Sequence, residues 1–376
     1  MSRLAVSGLR LTDFRNYAAA SLAAEAPFLV LTGPNGAGKT NLLEALSFLS
    51  PGRGLRRAAL GQADRLGGGA WAVAATVATA DGPVDLGTGR DPTAEGERRL
   101  VRVDGRPVRG QQVLAELFSV VWLTPQQDRL FLEGPGQRRR FFDRLVYAFD
   151  PAHAGRVGRY EQAWRDRARL LRPEPGAGPA DPRWLAALEA EIAATGTALA
   201  AARRDLALRL DAACAAAGGP FPRARVAVDG LVEAWLAEAP ALAVEDRFRS
   251  HLAQRRDGEG DGPHRSDLAV SFRDRDMPAA QCSTGEQKAL LLSLLLAHAG
   301  LRAAEAGAAP VLLLDEVAAH LDRDRRAALF DRLAAMGAQA WLTGTDAETF
   351  APLSGRAQFF RVADGHVTET DGPVTR

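Results

Sequence analysis

Eight residues constrain this chain more than any others: Gly33-Pro-Asn-Gly-Ala-Gly-Lys-Thr40. They fit the pattern GxxxxGK[ST] without a mismatch and follow the apolar run Phe28-Leu-Val-Leu31. Leu42, Leu43, Leu46 and Leu49 recur behind them at helical spacing, and Pro51-Gly52 ends that run. A strand, a glycine-rich turn and a helix in this order make a phosphate cradle. Backbone N–H groups of Gly33, Pro34's neighbours Asn35 and Gly36, Ala37 and Gly38 curl around the anion, and the helix N-terminus adds its positive end. Lys39 reaches the β- and γ-phosphates as a point charge, and Thr40 offers its hydroxyl to Mg²⁺. Lysine occurs only at 39 and 288, whereas Lys and Arg together number 47. A compact ammonium at 39 therefore stands out against an arginine-rich background.

The second half of such a site is Val311-Leu-Leu-Leu-Asp315-Glu316. Four apolar residues read as a buried strand that ends in two carboxylates. Asp315 completes the Mg²⁺ shell, and Glu316 is placed to polarise an attacking water. Val311 lies 271 positions beyond Thr40, so a whole domain is inserted between the two motifs.

The patterning between them supports this division. Asp81-Gly82 and Asp104-Gly105 are hairpin signals beside Trp71–Val77 and Arg99–Val103, which predicts an antiparallel sheet over 70–108. Val120-Val-Trp-Leu-Thr124 reads as a further strand. Phe141, Phe142, Leu145, Val146 and Phe149 mark one helix face; Val157, Tyr160, Trp164 and Leu171 mark the next. Leu185, Leu188, Ile192, Leu199 and Leu206 follow after the proline-rich break 173–182. Two helical runs across such a break predict either an antiparallel, short coiled-coil-like hairpin or an ordinary helical bundle. A second helix–strand pattern fills 283–345. The expected fold is α/β, with a P-loop head from residues 1–130 and 265–376 and a helical insertion over 131–264.

Composition excludes several classes. With 47% hydrophobic and 25% charged residues the chain is neither disordered nor collagen-like. A net charge of +1 leaves no global field, so any nucleic-acid contact requires a local patch. Cys214 and Cys282 form no metal spacing and no disulfide framework. The first ten residues lack a signal-peptide core, and the apolar stretch from Ala289 to Leu301 is shorter than the ~20 residues of a bilayer span. These features predict a soluble, cytoplasmic protein with no membrane partner.

Further motifs carry a resemblance. Cys282-Ser-Thr-Gly-Glu-Gln-Lys288 before an apolar helix resembles the signature motif of ABC-type ATPases in its SMC-like form. Ala318-Ala-His-Leu-Asp322 resembles their D-loop, and Gln126 in Thr124-Pro-Gln-Gln-Asp128 stands where a Q-loop belongs. Asp13-Phe-Arg-Asn-Tyr17, Gly134-Pro-Gly-Gln-Arg-Arg-Arg-Phe-Phe-Asp143 and Gly262-Pro-His-Arg-Ser-Asp-Leu268 resemble stretches of the RecF family of bacterial recombination mediators. The resemblance implies an ABC-ATPase-like head that binds ATP and Mg²⁺, with Gln126 joining Lys39 and Glu316 in catalysis and joining Thr40 and Asp315 at the metal. It implies an ATP-dependent homodimer in which Ser283 and Gly285 of one chain meet the γ-phosphate held by the other. Recombination mediator partners, loading of a recombinase at single-strand gaps and a part in the SOS response also come from the resemblance. The chain departs from the pattern at Cys282, at Thr284, and at Gly344-Thr345-Asp346, where a switch histidine is usual. Those departures predict a slow ATPase acting as a switch. The alternatives are an SMC-like chromosome-organising ATPase, which needs a longer heptad arm, and a transporter ATPase subunit, which carries its motifs closer together.

Arginine is concentrated locally. Residues 133–172 hold ten arginines against five carboxylates in a chain of net charge +1. Arg138, Arg139 and Arg140, with Arg53, Arg56 and Arg57 on a glycine-flanked loop, are the DNA-binding candidates. Contacts to the phosphate backbone predict weak sequence preference and strong salt dependence. His264, in the Gly-Pro-His-Arg segment, reads as either structural or near DNA.

Overall fold

A computed structural model of the chain describes residues 4–93, 98–172, 181–255, 260–318 and 321–373. The chain opens with β1 (Ala5–Phe14), β2 (Tyr17–Ala23), β3 (Phe28–Thr32) and α1 (Lys39–Ser47). A meander of β4 (Ala72–Thr79), β5 (Gly82–Arg90), β6 (Arg99–Val103) and β7 (Arg106–Val108) precedes α2 (Gln112–Leu117) and β8 (Val120–Leu123). Then come α3 (Pro135–Tyr147), α4 (His153–Leu171), α5 (Pro182–Ala216), β9 (Ala224–Asp229), α6 (Leu231–Glu238), α7 (Ala241–Gln254), β10 (Asp267–Phe272) and β11 (Met277–Pro278). The chain ends with α8 (Thr284–Ala306), β12 (Val311–Leu314), α9 (Arg323–Ala335), β13 (Ala340–Gly344), β14 (Ala357–Ala363) and β15 (His366–Thr370).

Two compact units result. One comprises Met1–Arg129, Ala217–Phe221 and Lys288–Arg376; the other comprises Leu130–Ala216 and Pro222–Gln287. The first unit contains two six-stranded sheets. One is antiparallel, in the order β2-β1-β4-β5-β6-β7. Its strands alternate buried and exposed residues, as the period of a half-buried strand requires: Val73, Ala75 and Val77 point inward from β4. The other runs β15-β14-β3-β13-β12-β8. Here β14, β3, β13, β12 and β8 are mutually parallel and only β15 is antiparallel. Four of its strands contain unbroken apolar runs, Phe28–Leu31, Val120–Leu123, Val311–Leu314 and Ala340–Leu342, because a covered parallel sheet buries both faces. Leu42, Leu43, Leu46 and Phe48 from α1 and its cap join residues of both sheets in one core. Parallel strands place their carboxyl ends, and hence the loops after β3, β8, β12 and β13, at one edge, where α/β sheets bind ligands.

The second unit is a helical bundle with a small sheet of order β11-β10-β9. Tyr160 and Ala163 of α4 meet Ile192, Ala193, Leu199 and Ala200 of α5, and α6 and α7 close the core with Val232, Trp235, Val244, Phe248 and Leu252. Thus α4 and α5 do pair, but inside a four-helix core and not as a free arm. The unit continues to Gln287, beyond the expected limit at 264, because β10 and β11 pair with each other and β10 pairs with β9. The sequence pattern had not shown β9 as a strand. The break at 173–180, residues 256–259 of the loop 255–264, and Ala319 and His320 of the D-loop-like segment lie outside the described residues. Helices α5 and α8 are long and apolar enough to cross a bilayer by length and composition, but half or more of each apolar window is buried within the protein. They read as core helices.

Candidate functional site

The cradle is built from backbone that only glycine adopts easily. Gly33, Gly36 and Gly38 have φ of 148°, 81° and 114°. A Cβ on Gly33 would lie 2.1 Å from the Val362 carbonyl oxygen of β14, and one on Gly38 would lie 2.6 Å from both Asn16 Nδ2 and Tyr17 Oη. Those two neighbours brace the loop from behind. Asn16 Nδ2 donates to Ala37 O at 2.9 Å, and the Tyr17 hydroxyl donates to Gly38 O at 3.0 Å. Around Gly36, by contrast, nothing lies within 4 Å of an added Cβ, so the cradle is open at its tip.

Lys39 is buried, and its ammonium donates to Gly33 O at 2.7 Å and Pro34 O at 2.9 Å. Burial lowers its pKa, while Glu316 and Asp315 oppose that shift. The charge thus rests on carbonyls of its own loop, a short side-chain swing from any phosphate in the cradle. Thr40 donates to the Asp315 carboxylate, 3.0 and 2.9 Å from its two oxygens. Strand β13 separates β3 from β12 in the sheet, and its Thr343 donates to Asp315 Oδ1 at 2.7 Å and accepts the Glu316 N–H at 2.9 Å. Glu316 itself sits in the left-handed region, at φ 54°. Burial raises the Asp315 pKa despite the hydrogen bonds from Thr343 and Thr40. A buried carboxylate beside a hydroxyl, both hard oxygen donors, fits Mg²⁺ with waters filling the remaining positions. Thr40 and Asp315 are the residues that would hold it.

Lys39, Thr40, Asp315 and Glu316 are therefore brought together, as their motifs predict. Gln126 is not joined to them. It is exposed in the turn after β8. Its neighbour Asp128 receives the second lysine, Lys288, at 3.1 Å in a buried ion pair. Ser283 and Gly285 belong to the second unit. The Ser283 hydroxyl and N–H both donate to Glu286 Oε2 at 2.9 Å, a capping box at the start of α8. Cys282 is buried, its thiol directed at Pro278 O. Gly344, in place of a switch histidine, has the Phe350 ring 2.6 Å from where a Cβ would stand.

The arginine candidates divide. Arg56 bonds to Glu44 Oε2 and Asn41 Oδ1, both at 2.6 Å. Glu44, fully buried on α1, also takes Arg15 at 2.8 and 2.6 Å. Arg56 is thus a structural counter-charge for the cradle helix. Arg138 grips Asp267 through two bonds of 2.7 Å, and Arg139 donates to Ser266 O at 2.6 Å. Arg53, Arg57 and Arg140 are exposed. The Arg138–Arg140 run therefore presents one outward cation instead of three. His264 is structural: its ring lies 4.0 Å from Trp164 and its Nδ1 is 2.7 Å from Tyr160 Oη. Thr343, Asn16, Arg15 and Glu44 were not singled out from sequence, although Arg15 and Asn16 lie within the Asp13–Tyr17 motif.

A phosphate cradle, an acidic pair at the carboxyl ends of parallel strands and a signature motif capping a later helix define a P-loop ATPase head of the ABC and SMC class. Residues 5–368 match the family described as RecF/RecN/SMC N terminal domain. The DNA replication and repair protein RecF of Mesorhizobium japonicum is 49% identical over 377 residues, covering 97% of this chain and 98% of that one. The protein of the same description from Allorhizobium ampelinum is 47% identical over 372 residues, covering 96% and 98%. Among solved structures, the recombination mediator protein RecF-ATPrS in the RecFOR pathway superposes with a TM-score of 0.83 at 21% identity, covering 98% of each chain. An SmcHead bound to the C-winged helix domain of ScpA gives 0.51 at 16% identity, covering 97% of each. The chain belongs to the RecF family.

Proposed function

We propose that the protein is an ATP-dependent DNA-repair ATPase of the RecF type, in which ATP binding pairs two copies on DNA and slow hydrolysis releases them. The observation that carries this reading is the convergence of Lys39, Thr40, Asp315 and Glu316 at one sheet edge in a chain with RecF relatives of 47–49% identity. The cradle N–H groups and Lys39 bind the phosphates. Bound Mg²⁺ would screen charge on the β- and γ-oxygens, held by Thr40 and Asp315. Glu316, its backbone fixed by Thr343, takes a proton from water. Gly344 brings no histidine to that step, which supports a slow turnover.

Gly285 supports the pairing. Its φ is ordinary and an added Cβ would touch nothing within 4 Å, so no contact among the described residues calls for glycine there. A close approach from outside does, and the γ-phosphate held by a second copy is the proposed visitor. Ser283 can cap α8 and bind that anion together. For DNA, the exposed Arg53 and Arg57 of the first unit, and Arg140, Arg159, Arg165, Arg169 and Arg172 of the second, are the candidate non-specific phosphate contacts. Mediator partners and recombinase loading at gaps follow from the family.

Sedimentation velocity tests the reading with ATP or ADP, each with and without gapped duplex DNA. A dimer with ATP and a monomer with ADP are expected, with DNA co-sedimenting in the ATP arm. Equal pairing with both nucleotides, or none with either, would refute it.

A further inference from the structure

Strand β13 lies between β3, which leads into the cradle, and β12, which leads into the acidic pair. Leu342 is in register with Leu314, and Thr343 is in register with Leu31. One residue past the last β12 pair, the Thr343 side chain therefore stands beside Asp315 and Glu316. It is fully buried. Its hydroxyl does two things that a methyl cannot. It donates at 2.7 Å to Asp315 Oδ1, and it accepts at 2.9 Å the N–H of Glu316.

Both partners need holding. Asp315 Oδ1 is shared by two hydroxyls, Thr40 of α1 and Thr343 of β13, and this fixes the carboxylate plane. Glu316 is one of seven non-glycine residues with positive φ among those described, a conformation that persists only when its surroundings over-determine it. The next residue, Gly344, brings no side chain, so at this end of β13 the hydroxyl is the polar group that reaches the acidic pair.

We propose that Thr343 is a positioning residue for hydrolysis. It sets the Asp315 carboxylate for the metal and locks the Glu316 backbone so that its carboxylate faces the water. This rests on the ATPase reading above. The Thr343 hydroxyl is taken up by Asp315 and the Glu316 N–H. It acts through the two acids, so its loss must fall on turnover more than on nucleotide affinity.

Thr343→Val keeps the shape and removes the hydroxyl; Thr343→Ser keeps the hydroxyl and removes the methyl. Single-turnover ATP hydrolysis and binding of a fluorescent ATP analogue, with and without Mg²⁺, are measured on both, with Lys39→Met alongside. The Val variant is expected to lose at least tenfold in hydrolysis rate, to bind nucleotide without Mg²⁺ within twofold of the parent, and to lose at least threefold of the tightening that Mg²⁺ gives. The Ser variant restores both quantities to within threefold. Should the Val chain not fold, Thr343→Ala carries the same expectations. Hydrolysis at the parent rate in the hydroxyl-free variant, or a Ser variant as impaired as Val, overturns the inference. If Lys39→Met keeps full ATP affinity, the reading of the site falls and the inference with it. If Lys39→Met loses ATP while Thr343→Val hydrolyses normally, only the inference falls.

Discussion

Glu44→Gln isolates the polar support of the cradle. Glu44 is fully buried on α1, and its two oxygens take three charged hydrogen bonds, from Arg15 at 2.8 and 2.6 Å and from Arg56 at 2.6 Å. A glutamine fits the same space but can place only one oxygen. That oxygen goes to the Oε2 position, which serves both arginines, and its amide nitrogen then faces the Arg15 Nη2 donor. One hydrogen bond is lost, and two guanidinium groups lose their counter-charge. Breaking a fully buried ion pair costs about 3–5 kcal/mol. The Arg15 and Arg56 side chains keep 18% and 31% of their exposure, so water recovers part of this. A loss of about 2–3 kcal/mol is expected. At about 2–4 °C per kcal/mol for a unit of this size, the melting temperature falls by roughly 4–12 °C. Thermal unfolding by circular dichroism, without nucleotide, reads it. Arg56→Gln moves the same quantity in the same direction by about half, because one of the two guanidinium partners of Glu44 is removed and the Arg15 pair stays. A shift below about 2 °C for Glu44→Gln would refute the reasoning, as would an Arg56→Gln variant that loses DNA affinity with its melting point unchanged.

Other substitutions separate chemistry from scaffold. Lys39→Met should weaken ATP binding by about tenfold or more, since a charge-assisted contact to phosphate is lost; fluorescence titration checks it. Glu316→Gln should accumulate an ATP-bound dimer, visible by light scattering, and a mutant that stays monomeric counts against the sandwich. Arg140→Gln should weaken DNA binding and flatten its salt dependence with little effect on stability, whereas Arg138→Gln should destabilise the second unit by breaking the paired bonds to Asp267; filter binding and melting curves distinguish them. Burial, with Arg265 and Arg139 nearby, lowers the His264 pKa to about 4. Above the ordinary value near 6.5 the ring is neutral in both states and stability is full. As the pH falls through the window between 6.5 and 4, the unfolded chain takes up a proton that the folded chain refuses. The second unit should therefore lose about 2 kcal/mol across that window, followed by Trp164 fluorescence, and His264→Gln should remove the slope.

The fold was legible where one interaction dominates locally. The cradle needs a strand, three positive-φ glycines and a helix start in immediate succession, so its sequence pattern is contiguous. The buried parallel strands show as apolar runs because nothing polar survives on either face. Strand β9 was not legible. Its Ala-Arg-Val-Ala-Val-Asp pattern is short, and β10, which completes it, begins 38 residues beyond its last residue. Pairing across that distance also groups residues 265–287 with the helical unit by contact.

The acids and the lysine could be assigned from motifs because their chemistry fixes their position relative to the phosphate. The arginines could not, because net charge along a segment counts a buried counter-ion and a free cation alike. Arg138 and Arg139 sit beside Arg140 in the chain, yet α3 turns them toward Asp267 and the Ser266 carbonyl while Arg140 faces solvent. A helix face turns 100° per residue, so neighbouring cations cannot all share one partner surface. The proposed DNA contacts therefore come from single outward arginines, not from a run in the sequence. DNA affinity should fall in small steps as Arg53, Arg140 and Arg169 are removed singly, because each removes one phosphate contact. A single substitution that abolished binding would place the interface elsewhere.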